Sequence, residues 1–318
     1  MVRGQRGATA AGILGGVAAD LVFGDPRRGH PVAGFGRAAG AVERRLYADD
    51  RARGVAYTLV CVGAATAAGL AADRATRGRP VARALVTAAA TWAVVGGTSL
   101  IREADAMARE LGRGDLDAAR DRVPHLCARD PKDLDAPHIA RATVESVAEN
   151  TSDAVVAPLF WGAVAGVPGL LAYRAVNTLD AMVGYRDDRY RRFGWASARL
   201  DDAANWLPAR LTALLTAACA PLSGGSPRAA LRVLRRDGGR HPSPNAGRCE
   251  AAFAGALGLR LGGTNSYGGH AEHRPELGDG RAPEVADIAR TARLARTVGL
   301  AAAAIAVAAR LGRTGARA

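Results

Sequence analysis

Val55-Ala-Tyr-Thr-Leu-Val-Cys-Val-Gly-Ala-Ala-Thr-Ala-Ala-Gly-Leu-Ala-Ala72 contains no charged residue, and Arg51, Arg53, Asp73 and Arg74 bracket it. Its length reaches the minimum, about 18 residues, for a helix that crosses the hydrocarbon core of a bilayer. An Ala-rich run is only weakly apolar, so the same stretch also suits the core helix of a soluble bundle. Further runs in the same chain favour the membrane reading.

Residues 81–101 are interrupted only by Arg83, close enough to the end for its long side chain to snorkel. Residues 154–173 form an uncharged run, and 203–222 form another that carries Arg210 inside it, a placement that costs a few kcal/mol unless the guanidinium meets a polar partner. Weaker stretches lie at 8–23, with Asp20, and at 298–309. The amino terminus imitates a signal peptide, with Arg3 and Arg6 before an apolar stretch. Asp20 follows and no clear cleavage site is evident, so the segment is taken as retained. The segments between are rich in Ala, Leu and Arg and are punctuated by Gly and Pro, whereas alternating β-branched runs are missing. The expectation is an all-α, multi-pass helical membrane protein, a single domain over residues 1–318 whose polar loops form the site.

Composition removes several functions. The formal net charge of +13 suggests nucleic acid, but Lys132 is the only lysine among 43 basic residues and the arginines are scattered through every loop. Aromatic residues, at 5%, are too sparse to provide stacking platforms for single strands, so no nucleic-acid partner is expected. Lys132 sits in Asp130-Pro-Lys-Asp133, which excludes the Gly-Lys-Ser/Thr phosphate loop. Cys61, Cys127, Cys219 and Cys249 lack the paired spacing of a zinc or redox site.

Residues 102–153 hold 12 acidic and 8 basic side chains inside this basic chain. Within them Arg141, Glu145, Glu149 and Asp153 recur at i+4 and share one slowly drifting helix face. Three carboxylates on a rigid stripe suit Mg²⁺ held together with substrate phosphates. A solvated face with an Arg141–Glu145 ion pair accounts for the pattern equally well. A second polar cluster runs from Asn177 and Asp180 through Arg186, Asp187 and Asp188 to Arg199, Asp201, Asp202 and Asn205. The i,i+3 pairs Asn177/Asp180 and Asp202/Asn205 can converge on a ligand, and Arg186 and Arg199 offer planar forks for carboxylate or phosphate. An ordinary juxtamembrane loop has the same composition. Two turn-rich regions, Gly24-Asp-Pro26 with His30-Pro-Val32, and His241 to Gly247 with Gly262 to Gly269, complete the polar inventory.

The blocks that carry these residues resemble the CobD/CbiB family of cobalamin-biosynthesis membrane proteins, the adenosylcobinamide-phosphate synthases. They are Asp20 to Pro26 with His30-Pro-Val32; Ala128-Arg-Asp130 to Asp135; Ala142 to Asp153 leading into Ala157 to Trp161; Val176 to Tyr185; Phe193-Gly-Trp195 with Ala198 to Asp202; Pro208 to Thr212; and Ser243 to Gly247 with Leu261-Gly-Gly263 and Tyr267-Gly-Gly269. They run in order nearly end to end. Arg248 stands where an aromatic is expected and Pro131 where Thr is frequent, and neither change removes a charge.

The resemblance implies an ATP-dependent amide ligation that joins aminopropanol, or its phosphate, to the free carboxylate of adenosylcobyric acid. Mg²⁺ and ATP are then expected, in a multi-pass protein of the cytoplasmic membrane whose partners are the lipid bilayer and other corrinoid-pathway enzymes. On that reading Glu145, Glu149, Asp180 and Asp202 are the catalytic candidates. Glu145, Glu149 and Asp153 are the metal candidates, and Asn150, Asp153, Asn177 and Arg199 the nucleotide candidates. Asp25, His30, Arg129, Asp130, Arg186 and Asn245 are the substrate candidates. If 154–173 crossed the bilayer once, Asp153 and Asp180 would end on opposite sides. Pro158, Gly162, Gly166, Pro168 and Gly169 suggest a broken or re-entrant hairpin instead, with both polar loops on the cytoplasmic side. The alternative is a membrane sensing protein like the AmpE relatives, without ligase chemistry and without need of the acidic stripe.

Overall fold

Ala, Leu and Arg, all strong helix formers, fill the segments between Gly and Pro breaks, and in the computed structural model 78% of the residues are helical. The structure describes residues 2–25, 29–127, 130–132, 134–267 and 270–312, with side chains at all of these except 2, 3 and 264–272. The helices are α1 (Val2–Phe23), α2 (Pro31–Leu46), α3 (Arg51–Ala75), α4 (Pro80–Val94), α5 (Gly97–Arg113), α6 (Leu116–Leu126), α7 (Ala136–Thr151), α8 (Ala157–Ala165), α9 (Val167–Val183), α10 (Trp195–Ala204), α11 (Trp206–Cys219), α12 (Pro227–Asp237), α13 (Ala246–Leu257) and α14 (Val285–Gly312). A π-helical turn, Ser152–Val156, links α7 to α8. Two strands, β1 (Leu261–Tyr267) and β2 (His270–Leu277), form an antiparallel hairpin.

Four helical stretches are long and apolar enough to cross a membrane: Gly4–Phe23, Arg51–Ala75, Pro80–Arg113 and Val285–Gly312. They absorb the expected runs at 8–23, 55–72, 81–101 and 298–309, and the chain is an all-α membrane protein. Two runs behave differently. Residues 154–173 break at Gly166, whose φ of +71° is open to glycine, and α8 and α9 fold back on each other. A Cβ at Gly169 would stand 2.2 Å from the Trp161 carbonyl oxygen, so the turn depends on that glycine. Nine residues of α8 extend about 13 Å, far short of a bilayer core of about 30 Å. The run 203–222 breaks at Asn205, and α11, with 14 residues, is likewise too short to span.

The chain divides into two compact units: Met1–Gly96, Ala157–Asn205 and Ala302–Ala318 form the first, and Gly97–Val156 and Trp206–Ala301 the second. In the first, α1 lies directly on α4. A Cβ on Gly12 or Gly16 would come within 2.5 Å of Thr87 Cβ or 2.4 Å of Thr91 Cβ, the small-residue packing that lets membrane helices approach closely. Large side chains on the same helices, Leu14 and Phe23 on α1, Leu59 and Leu70 on α3, Val81 and Leu85 on α4, are exposed, as a lipid-facing surface requires. The interior beside α3 is a cluster of Ala39, Tyr57, Cys61, Leu179, Val183 and Phe193.

The second unit is built around α13, buried along nearly its whole length from Ala246 to Leu257. Such all-round burial marks a core helix. Helices α7, α11 and α12 and the hairpin pack on it. Asp237, at the end of α12, receives Arg236 and the Gly278 N–H, which ties the hairpin down.

Candidate functional site

In the first unit, α9 ends at Gly184 and a polar loop returns to start α10 at Trp195. Glu43 of α2 holds that loop. Its buried Oε1 accepts the Tyr190 hydroxyl at 2.9 Å and Arg189 Nη2 at 3.2 Å. The Tyr47 hydroxyl donates to the Arg189 carbonyl oxygen, and the Arg189 guanidinium lies 4.8 Å over the Tyr47 ring. Between loop and helix opens a cavity of about 380 Å³. Arg51, Arg186, Arg191 and Arg199 line it, with Tyr185, Tyr190 and Trp195 as aromatic walls and Asp202 at its acidic side.

Asp180 stands behind Gly184, and its charge acts on a second carboxyl, Asp201. Asp180 Oδ1 would be 2.0 Å from a Cβ at Gly184, so the absence of a side chain there lets the carboxylate stand against the cavity wall. Asp201, nine-tenths buried on α10, accepts Asn205 Nδ2 at 3.0 Å through Oδ2. The Asn205 oxygen in turn accepts the Tyr173 hydroxyl at 2.8 Å. Asp201 Oδ1 is buried without a hydrogen-bond partner among the described residues. Burial, then the Asp180 charge, pushes Asp201 up to about 7, against the opposing help of the Asn205 and Asn177 amides. Burial, then Asp202, pushes Asp180 up to about 6. Asp202 is raised by burial, against Arg199 and Arg186. Burial and mutual repulsion thus raise both carboxyls toward neutrality, which suits a group that accepts a proton from an amine.

The structure thus brings Asn177, Asp180, Arg186, Arg199, Asp202 and Asn205 of the second polar cluster to one neighbourhood, with Asp201 of the same cluster at its buried centre, and adds Tyr173. Asn205 pairs with Asp201 at i+4, and Arg199 reaches Asp202 Oδ2 at 3.6 Å. Asp25 and His30 sit elsewhere in this unit. His30 Nδ1 accepts the Val32 N–H and caps α2, while its Nε2 lies 4.0 Å from Asp25.

The second unit contains the acidic stripe. Glu145, buried in α7, accepts the Gly262 N–H at 2.7 Å, and Arg141 donates to the Gly262 carbonyl oxygen at 2.6 Å. The two side chains therefore hold the two backbone polar groups of one hairpin residue, Gly262. Glu149 and Asp153 are half-buried and flank Cys249 of α13, whose thiol burial and the Asp153, Glu149 and Glu250 charges push well upward. Asn150 Nδ2 donates to the Ser146 carbonyl oxygen. His241 Nε2 lies 3.8 Å from Glu250 Oε1, a buried pair that the sequence did not single out. Asn245, buried at the start of α13, accepts Arg210 Nη1 at 3.4 Å, which supplies the polar partner that Arg210 needs; the guanidinium also lies 4.0 Å over the Trp206 ring. Asp130 accepts the Lys132 N–H. Arg129 falls outside the described residues. Among the described residues no group of three or more His, Cys, Asp or Glu side chains converges to hold a metal.

A helical membrane protein with a carboxyl pair behind an arginine-lined cavity and a second acidic site in its other unit is the class that fold and site define. The chain belongs to the CobD/CbiB family: the CobD/Cbib protein family matches residues 13–295. It is 55% identical over 299 residues to the cobalamin biosynthesis protein CobD of Mycobacterium tuberculosis, covering 94% of this chain and 95% of that one. The proteins of the same name from Geobacter metallireducens (48% over 272 residues, 84% and 86% covered) and Rhodobacter capsulatus (43% over 300 residues, 90% and 93%) are similar throughout. No solved structure matches the chain. The chain is a cobalamin-biosynthesis enzyme.

Proposed function

We propose that the protein catalyses an ATP-dependent amide ligation, joining aminopropanol or its phosphate to the free carboxylate of adenosylcobyric acid. Such a ligation first turns the carboxylate into an acyl phosphate, releasing ADP. The amine then attacks the acyl carbon, phosphate leaves, and the ammonium proton passes to a base. The observation that carries this reading is the Asp180–Asp201 pair, raised toward neutrality beside an arginine-lined cavity. In this reading Asp180 and Asp201 take the proton, Asp202 and Asn177 shape their charge, and Arg186 and Arg199 hold anionic substrate groups.

Glu149 and Asp153 suit Mg²⁺ that arrives with the nucleotide. Glu145 is engaged by Gly262 and positions the hairpin, which leaves two carboxylates, the number Mg²⁺ accepts while phosphates and waters complete its shell. The ion, when bound, neutralises the triphosphate. Asn150 and Asn245 then contribute neutral polar groups to this region.

Complementation of a cobalamin auxotroph lacking this step tests the reading. Wild type is expected to restore growth on cobyric acid, whereas Glu149→Gln grows only when cobinamide is supplied. An expressed wild-type chain that fails on cobyric acid overturns it.

A further inference from the structure

Helices α11, α12 and α13 lie side by side in the second unit. The Cys249 thiol donates to the Ala209 carbonyl oxygen at 3.8 Å, so α11 and α13 start together. A Cβ on Gly225 would clash with the carbonyl oxygens of Ala220 and Ala256, so they also end together. From there α12 runs back: the Ser226 N–H donates to the Ala256 carbonyl oxygen at 3.0 Å, and Gly238, past the far end of α12, lies against Gly247. Along α11, Leu207, Leu211, Leu214 and Ala218 recur at i, i+4, i+7 and i+11 on one face, while Pro208, Thr212 and Leu215 are buried on the other. Trp206, Leu207 and Leu214 are 50%, 52% and 56% exposed, and Leu222, in the turn to α12, is 72% exposed. Arg228, Arg232, Arg235 and Arg236 line the exposed face of α12, whose one acid, Asp237, is buried. Asp279 takes Arg232 and Arg236, whereas Arg228 and Arg235 form no ion pair among the described residues.

A helix of 14 residues is too short to cross a bilayer, and an apolar stripe beside a basic one is the pattern of a helix that lies in the membrane plane. We infer that α11 and α12 form an in-plane membrane-interface element: the α11 stripe lies among the acyl chains, and Arg228 and Arg235 bind the headgroup phosphates of anionic phospholipid. This element is separate from the four membrane-crossing stretches and does not depend on the ligation proposed above. Trp206, a residue type that favours the headgroup level, opens the stripe, and Arg210, stacked 4.0 Å over its ring, can reach the same level with its long side chain. A second copy of this chain is the wrong cover, because neither α11 nor the exposed face of α12 carries an acid to receive the other copy's arginines. An anionic lipid surface supplies both the apolar cover and the negative charge.

The test is quenching of Trp206 fluorescence in the full chain, reconstituted into phosphatidylcholine vesicles with a rising share of phosphatidylglycerol and with bromine on the acyl chains of one lipid or the other. The Trp206 signal is the difference between wild type and Trp206→Phe. Brominated chains should quench it, and Leu214→Trp placed in the Trp206→Phe background should restore the quenching further along the stripe. The anionic lipid should be favoured over the zwitterionic one at Trp206 by about tenfold. Replacing both Arg228→Gln and Arg235→Gln should lower that preference by about fivefold or more. Both arginines are exposed and outside any ion pair among the described residues, so the double variant keeps the fold. Absence of quenching at both tryptophan positions, the result if a second copy or another protein covers α11, overturns the inference. So does equal preference for the two lipids in wild type, or a preference that the double variant leaves unchanged. Displacement of the anionic lipid by inorganic phosphate at constant ionic strength would assign the arginines to a soluble anion and overturns it as well.

Discussion

Asp201 Oδ2 accepts the Nδ2 proton of Asn205 at 3.0 Å, so a polar pair one helical turn apart occupies the buried face of α10 and its cap, where apolar side chains would ordinarily pack. Ser197, one turn earlier and also buried, meets the Thr58 hydroxyl at 2.9 Å. The stripe Ser197–Asp201–Asn205 is thus held in place from α3 at one end and by Tyr173 at the other.

This burial makes stability depend on pH. The unfolded chain loses the Asp201 and Asp180 protons near the ordinary carboxylate value, whereas the folded chain keeps them to about 7 and about 6. From about pH 4 upward the native state binds more protons, so its stability falls as pH rises and the loss is complete only above the folded values. Asp201→Asn removes the larger contribution, on the order of 2–4 kcal/mol. Thermal unfolding in detergent at about pH 5 and about pH 8 should therefore show wild type losing more than the variant. Parallel slopes would refute this assignment.

The Gln and Ala variants of Glu145 should separate cleanly. Glu145→Gln retains a side-chain oxygen for the Gly262 N–H, while Glu145→Ala leaves that buried donor unsatisfied at a cost of about 1–3 kcal/mol. The expected result is a near-native melting temperature for Gln and a clear drop for Ala. A matching drop in both would show that charge, not the hydrogen bond, matters at this position.

Asn245 has an analogous role toward Arg210. Replacing it with Leu deprives Arg210 of a side-chain acceptor in a largely apolar helix and leaves it, among the described residues, the Trp206 carbonyl oxygen. Destabilisation of about 1–3 kcal/mol is expected, and adding Arg210→Met should recover part of it because the double variant buries no unmatched donor. Additive losses in that cycle would uncouple the two residues.

What hydropathy decides, it decided well. The runs at 8–23, 55–72 and 298–309 each lie within one helix, and 81–101 falls on two, α4 and α5, because Ala-rich stretches with at most one charge favour helix. The broken hairpin at 154–173 was visible in its Pro and Gly content. The run at 203–222 misled because an Ala-rich helix on a protein core and one in lipid share a composition, and only the neighbours differ. The β1–β2 hairpin escaped because its first strand, Leu261-Gly-Gly-Thr, has turn residues instead of β-branched alternation; Gly262 and Gly263 adopt φ of +88° and +86° and the register shifts there. At the site, the sequence places Asp201 in the polar cluster but gives it no role of its own. Asp202 drew attention through its i,i+3 relation to Asn205, whereas the i+4 spacing Ser197–Asp201–Asn205 was the signal of a buried polar stripe. Glu250 and His241 lie 9 residues apart in sequence with no shared period, so only the fold brings them together.

The contact between α1 and α4 offers the sharpest test of the packing. Gly16 leaves no room for a methyl group: a Cβ there would stand 2.4 Å from Thr91 Cβ and 2.6 Å from the Ala88 carbonyl oxygen. Membrane helices gain little from hydrophobicity against one another, so close backbone approach supplies much of their attraction. Gly16→Val should force α1 away from α4 and destabilise the protein by about 1–3 kcal/mol. Thr91→Gly should relieve the side-chain clash but not the one with the Ala88 carbonyl, so recovery in the double variant is partial. Melting temperatures of the two single variants and the double variant measure this. Full tolerance of Gly16→Val alone would mean that the two helices do not pack through this face.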